Sequence, residues 1–223
     1  MEKLPKINII YEDNHLLVVE KPTNIPVCED ESKDLDLLTI LKQYLKEKNN
    51  KPGNVYLGLV HRLDRPVGGI MVFAKTSKAA SRLSNQVREK QLTKTYYAVV
   101  ENKLKTKDTL KDYLVKDKKT NITKTTTKEL GKESILNYEV IKTVDNLNLI
   151  KINLITGRSH QIRVQFSSRS NPLYGDQKYN KNAIPNTNIA LFAKKLSFNH
   201  PITKENLTFE IDLPKRYPFT IFE

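Results

Sequence analysis

Residues 7 to 27, INIIYEDNHLLVVEKPTNIPV, set two apolar, β-rich runs on either side of the polar turn EDN and end in the Pro-punctuated KPTNIP. That pattern predicts a hairpin followed by an irregular loop. Leu37, Leu38, Leu41, Tyr44 and Leu45 then fall at helical spacing, with Asp34 or Asp36 available as N-cap, and KEKNNKPGN (46 to 54) predicts a loop. VYLGLV leads into VHRLDRPVGG, after which GIMVFAKT is apolar and β-like. From 77 to 90 the period becomes helical. Ser77 is available to cap this helix, Ala80, Leu83 and Val87 form its inward stripe, and Lys78, Arg82 and Arg88 face water.

TYYAVVEN is a strand candidate, and KDKKTNITKTTTK (116 to 128) predicts a charged hairpin, its threonines favouring strands and its lysines an edge. SILNYEVIKTVDNLNLIKINLIT (134 to 156) predicts two long antiparallel strands turning at DNLN, with Gly157 ending the second. GRSHQIRVQF starts a helix at Ser159, with Ile162 and Phe166 one turn apart on its buried side, and NIALFAKKLSFNHP and ENLTFEIDLP supply the last strands. Many strands, few helices and no regular βαβ alternation predict an α+β fold with a largely antiparallel sheet. A chain of 223 residues is expected to form one domain, 1–223.

Charge narrows the partners. There are 38 Lys+Arg against 25 Asp+Glu, a formal net charge of +13, which points to a polyanion such as RNA. A compositional bias toward lysine would raise Lys anywhere, yet it would not strip acids from chosen windows. Between Lys48 and Arg88 there are eight Lys or Arg residues, and Asp64 is the only acid. Between Asp145 and Asp176 stand Lys151, Arg158, Arg163 and Arg169 with no acid at all. Two such windows could line one anion-binding groove, and a carboxylate in that positive field would stay ionised as a nucleophile or base. A lone Asp before Arg-Pro is also an ordinary turn residue. Cys28 is the only cysteine, which excludes disulfides within the chain and zinc sites built on cysteine pairs. No apolar run approaches the roughly 18 residues of a membrane span, and MEKLPKINII has no cleavable apolar leader, so a cytoplasmic protein is expected.

HRLDRPVGGIMVFAKTSKAASRL resembles the catalytic motif of the RluA-type RNA pseudouridine synthases: His-Arg-Leu-Asp, two variable residues, a small hydroxylic pair, Gly and an apolar strand. YEDNHLLVVEKPTNIPV resembles that family's opening hairpin and loop, KTYYAVV its Lys-x-Tyr-x-Ala motif, and ITGRSHQIRVQF its Thr-Gly-Arg-Thr/Ser-His-Gln-Ile-Arg block. NPLYGDQKY, ALFAKKLSFNHP and FEIDLP follow in family order, so the likeness runs from residue 11 to 214. It implies a single catalytic domain with a mixed sheet flanked by helices and an active-site cleft across the sheet. It leaves no room for the auxiliary N-terminal RNA-binding module of some relatives.

The implied reaction isomerises a specific uridine in structured RNA, transfer or ribosomal. The bond from ribose to nitrogen 1 of uracil breaks, the base rotates, and it rejoins through carbon 5. No atoms are gained or lost, so no cofactor or metal is expected. By this resemblance Asp64 is the catalytic aspartate, acting at the anomeric carbon or on a neighbouring sugar proton, and Arg163 is its basic partner. Tyr96 is the aromatic that stacks on the target base, Tyr97 pointing to the opposite face. Arg62 helps to displace the flipped nucleotide. Arg158, Lys75, Lys78 and Arg82, with the lysines of 116 to 128, are expected to meet phosphates, while His61 and His160 are expected to brace their loops. Two departures stand out. Val67 and Gly68 replace the usual hydroxylic pair, and Phe192 stands where relatives often carry His.

A kinase loop is excluded because the extra Leu misplaces the acid and no Gly-rich loop or Asp-Phe-Gly is present. A glycosidase would want two carboxylates where the Asp64 window has one. An inactive RNA-binding protein on the same fold is the main alternative, opposed by the joint presence of Asp64, Tyr96 and Arg163. A monomer is favoured.

Overall fold

The computed structural model describes residues 5–50 and 52–223. The first four residues of the N-terminal stretch and Lys51 of the 46–54 loop therefore lie outside the described residues. The chain divides into two compact units, one of Met1–Thr93 with Lys195–Ile211 and the other of Lys94–Lys194 with Asp212–Glu223. The fold is α+β, as expected, and among the described residues no helix is long and apolar enough to cross a membrane.

In the first unit β1 (Asn8–Glu12) and β2 (Leu16–Lys21) form the expected hairpin. Its turn is set by Asp13, whose Oδ1 accepts the backbone N–H of His15 and Leu16 at 2.7 and 2.6 Å. β2 pairs antiparallel with β4 (Gly68–Ala74), which also pairs with the short β3 (Gly58–Leu59). β4 is buried along its whole length, and so is Leu16 to Val19 of β2, so apolar residues occupy both faces of these strands. One face packs Leu16, Val18, Ile70, Val72 and Ala74 against Ala79 and Leu83 and against Phe198. Phe198 belongs to β10 (Leu191–Asn199), whose second half pairs with β11 (Asn206–Glu210).

The two helices of this unit differ in detail from expectation. α1 (Leu37–Lys48) is capped by Asp36, which accepts the Thr39 N–H at 3.0 Å, and buries Leu37, Ile40, Leu41 and Leu45. It runs on through Lys46–Lys48, where the sequence predicts a loop, because nothing there breaks a helix and lysines suit its C-terminal end. α2 (Ser77–Arg88) is capped by the Thr76 hydroxyl rather than by Ser77. Its buried stripe is Ala79, Leu83 and Gln86, with Ala80 and Val87 only half-buried. A glutamine can go inside because both ends of its amide are met by the Asn199 backbone, at 2.7 and 2.8 Å. Arg82 is likewise drawn in, donating to Pro201 O at 2.8 Å.

In the second unit β5 (Thr93–Glu101), β9 (Leu147–Leu154), β8 (Lys132–Val144), β6 (Lys107–Asp117) and β7 (Ile122–Thr126) pair in that order, each antiparallel to its neighbour. The β8–β9 turn falls inside DNLN with Asp145 at φ +51°, and the lysine-rich 116–128 segment forms the β6–β7 hairpin, both as expected. α3 (Gln161–Ser167) begins two residues later than Ser159, after His160 at φ +52°. It is buried from Gln161 to Phe166 rather than along one stripe.

One side chain fixes the approach to residues 64–67. Lys21 ends β2 fully buried, and its Nζ donates to the carbonyl oxygens of Pro22, Arg65 and Val67 at 2.8, 2.9 and 2.9 Å. Three acceptors match the three donors of an ammonium. Opposite Lys21 in the β2–β4 ladder is Gly69, at φ +125°, a conformation closed to side chains with a β-carbon. Burial pushes Lys21 down to about 7, against the opposing pull of Asp64. The folded protein therefore binds fewer protons than the unfolded chain between about pH 7 and the ordinary lysine value, and Lys21's contribution to stability rises with pH across that window. Lys21→Met should destabilise the fold by about 3 kcal/mol, since three buried carbonyls lose their donor. The stability gap between wild type and variant should widen from pH 7 to 10 in urea titrations; a gap that stays constant or narrows would show that the three carbonyls keep Lys21 protonated across that window.

Candidate active site

Asp64 sits at the first position of a tight turn closed by the Val67 N–H donating to Asp64 O at 2.9 Å, and the residue is half-buried. The turn is gripped from two sides. Lys21 holds the Arg65 and Val67 carbonyls from within. On the outside the Arg65 guanidinium pairs with Asp34 and donates to the Ser32 hydroxyl at 2.9 Å. The hydrogen bond from Arg65 holds the Asp34 carboxyl below its usual range. Leu63 and Val67 are buried on either side of Asp64, while Arg62 is exposed. His61 is buried, its Nε2 accepting the Val72 N–H at 3.2 Å, so its bracing role is the one the structure shows.

The basic residues of this unit are not equivalent. Lys78 is exposed. Lys75 is 18% exposed and its Nζ lies 2.8 Å from Glu12, which also receives Lys48 at 2.8 Å and the Tyr44 hydroxyl at 3.0 Å. Burial pulls the Glu12 carboxyl up, but those hydrogen bonds outweigh it and hold the group below its usual range.

In the second unit Tyr96 lies on β5 opposite Ile152 of β9 and is 5% exposed. Tyr97, on the other face, is half-buried under Lys194, whose Nζ is 5.6 Å from the ring centroid. Arg163, near the start of α3, is buried and pairs side-on with Asp176, Nε and Nη2 to the two carboxylate oxygens at 2.9 and 2.6 Å. The Tyr179 ring centroid is 5.1 Å from its Cζ. Arg158 is exposed and donates from Nε to Glu133 O at 3.0 Å, and His160 braces the entry to α3 through Tyr179, Nδ1 to hydroxyl 2.6 Å. Phe192 is buried, which fits a packing role for that substitution.

The acid-free windows of the sequence are not acid-free in space. Arg65, Lys48 and Lys75 meet Asp34 and Glu12, and Arg163, Arg169 and Lys151 meet Asp176, Asp112 and Glu139, all from outside those windows. The side chains of Arg62, two residues before Asp64, and of Lys78, in the first turn of α2, are exposed. Lys21, Asp176 and Tyr179 are the site residues that sequence reasoning missed. Their signals, the first residue of KPTNIP and the acid and aromatic of GDQKY, were present in matched blocks but carried no role by spacing. Among the described residues no cluster of three His, Cys, Asp or Glu side chains is placed to hold a metal.

Comparison with known proteins places this geometry. The RNA pseudouridylate synthase family model matches residues 15–168. An uncharacterised RNA pseudouridine synthase of Bacillus subtilis, YhcT, is 34% identical over 94% of this chain and 69% of its own. Ribosomal large subunit pseudouridine synthase C of Buchnera aphidicola is 35% identical over 95% of this chain and 68% of its own. Among solved structures, human RNA pseudouridylate synthase domain containing 4 shares the fold, with a TM-score of 0.79 at 21% identity, covering 93% of this chain and 89% of that one. A family match that takes in the Asp64 turn, Tyr96 and Arg163, together with relatives above 30% identity along nearly the whole chain, makes this protein a member of the RluA-type RNA pseudouridine synthases, isomerases that act on RNA.

Proposed function

We propose that this enzyme converts one uridine of a structured RNA to pseudouridine in the cytoplasm, with Asp64 as the catalytic carboxylate. Names of relatives such as the large-subunit synthases C and D favour ribosomal RNA, with transfer RNA as the other substrate class. The observation that carries the reading is the Asp64 turn: the carboxylate of a half-buried residue on a backbone fixed by a buried ammonium, with Arg65 already neutralised by Asp34. Asp64 either attacks the anomeric carbon or removes the neighbouring sugar proton, and both routes release the uracil for rotation. Tyr96 stacks on that base and takes the carbon 5 proton once the new bond has formed. Arg163 is the fixed cation of the reaction.

A uridine within folded RNA must leave its stack, and Arg62 occupies the space it vacates, its flat guanidinium serving both base and phosphate. Lys78 and Arg158, both exposed, bind phosphates. Lys75 and Arg82, whose charged groups are engaged by Glu12 and Pro201 O, add less.

Wild-type protein should release tritium from RNA labelled at carbon 5 of uridine. Asp64→Asn should lower that release by about four orders of magnitude while leaving RNA affinity within about threefold; release at wild-type rates would remove Asp64 from the chemistry. Replacing Arg62 and Lys78 by Gln should reduce the slope of log affinity against log salt by about 1 each, and Lys75→Gln by clearly less. Equal slopes for all three would show that Lys75 leaves Glu12 to meet RNA.

A further inference from the structure

Asp176 does more than neutralise Arg163. Its carboxylate is fully buried, and Oδ1 accepts the backbone N–H of Lys178 and Tyr179 at 3.0 and 3.2 Å as well as the Arg163 Nη2. One group thus fixes both the guanidinium and the turn 176–179. The pairing uses the Nε/Nη2 edge of the guanidinium and leaves Nη1 outside it. Tyr179, at the end of that turn, lies under the guanidinium with its ring, and its hydroxyl accepts the Thr123 N–H at 2.8 Å. Burial pushes the Tyr179 phenol up, so it keeps its proton while meeting His160 Nδ1. The neighbouring Lys178 donates from Nζ to Asn121 O at 3.0 Å.

Asn121 and Thr123 belong to the β6–β7 hairpin, which bears Lys116, Lys118, Lys119 and Lys124. Thr123 is 3% exposed, so its N–H has no ready exchange of the phenol for water, and the hairpin cannot shift without breaking that bond. A buried ion pair depends steeply on geometry, so a small displacement of Tyr179 is felt at Arg163.

We infer that Asp176 and Tyr179 are positioning residues for Arg163, and that the Tyr179 hydroxyl links the guanidinium's placement to the lysine hairpin, so that RNA held by the hairpin steadies Arg163. The inference rests on the reading of Arg163 as the cation of the reaction. Tyr179→Phe in the full chain keeps the ring beneath the guanidinium and removes the links to Thr123 and His160. It should lower kcat about tenfold with RNA affinity changed less than about twofold. Lys118→Ala with Lys119→Ala should lower kcat as well as affinity in wild type, but affinity alone once Tyr179 is Phe. Independent effects on kcat in the combined variant, or an unchanged kcat in Tyr179→Phe, would overturn the link.

An activity-independent measurement separates this inference from the proposed function. The Arg163 Nε–H resonance, assigned by its loss in Arg163→Lys, should exchange more slowly with solvent when an RNA stem-loop is added to wild type, and not in Tyr179→Phe. The same slowing in both proteins would refute the link. If wild type makes no pseudouridine yet shows the Tyr179-dependent slowing, the catalytic reading fails and the positioning link stands.

Discussion

The buried ammonium of Lys21 is the constraint on which the Asp64 turn depends. A four-residue turn has little of its own to hold it, here a single backbone hydrogen bond from Val67 to Asp64. Taking an ammonium out of water costs several kcal/mol; charge-assisted hydrogen bonds to fixed acceptors offset part of it, and the rest shows as the fall of the Lys21 pKa to about 7. Lys21 finds three such acceptors, two of them on the turn itself, so the free energy of burying one charge is coupled to the shape of the loop that presents another. This anchoring calls on no side-chain hydroxyl at Val67 or Gly68, where the motif that the chain resembles has a hydroxylic pair. The turn is anchored through main-chain carbonyls, and a buried Val67 adds packing rather than a hydrogen bond.

α3 follows a parallel logic with different parts. Seven residues are too few for a helix to persist by propensity, and this one is stabilised by what its buried polar side chains reach. Gln161 donates to Ile135 O at 3.1 Å, Gln165 reaches Ser134 O and Asp112, and Arg163 reaches Asp176. Ile135 and Ser134 lie on β8, Asp112 on β6 and Asp176 on the segment after α3, so the helix is tied to the strands beside it. Asp176 already fixes one edge of the Arg163 guanidinium, which limits the reorganisation that its proposed electrostatic role would need and leaves the remainder to the Tyr179 link.

Charge read along the chain and charge read in space differ for a simple reason. Acid-free windows in a basic sequence suggest unpaired cations, but ion pairs form between residues remote in the chain, and Arg65, Arg163 and Arg169 of those windows find acids elsewhere in the fold. The excess of +13 is therefore carried largely by lysines outside these pairs, including those of the β6–β7 hairpin.

The sequence by itself determined the hairpin at 8–21, the three helices, the β6–β7 and β8–β9 hairpins, the α+β class and the family, because period, turn residues and motif order are local properties. It marked Asp64, Tyr96 and Arg163 through motif likeness, and it placed Tyr96 and Tyr97 on opposite faces through the twofold period of a strand. Local signals misjudged what depends on contacts at long range: the cap at Thr76, the burial of Gln86, the inward turn of Arg82, and the all-round burial of α3. Only the tertiary structure could show that Lys21 grips carbonyls 44 and 46 residues away, or that Asp176 and Tyr179 hold Arg163. A hydrogen bond is decided by where the fold sets its two ends, and no spacing along a chain encodes that distance.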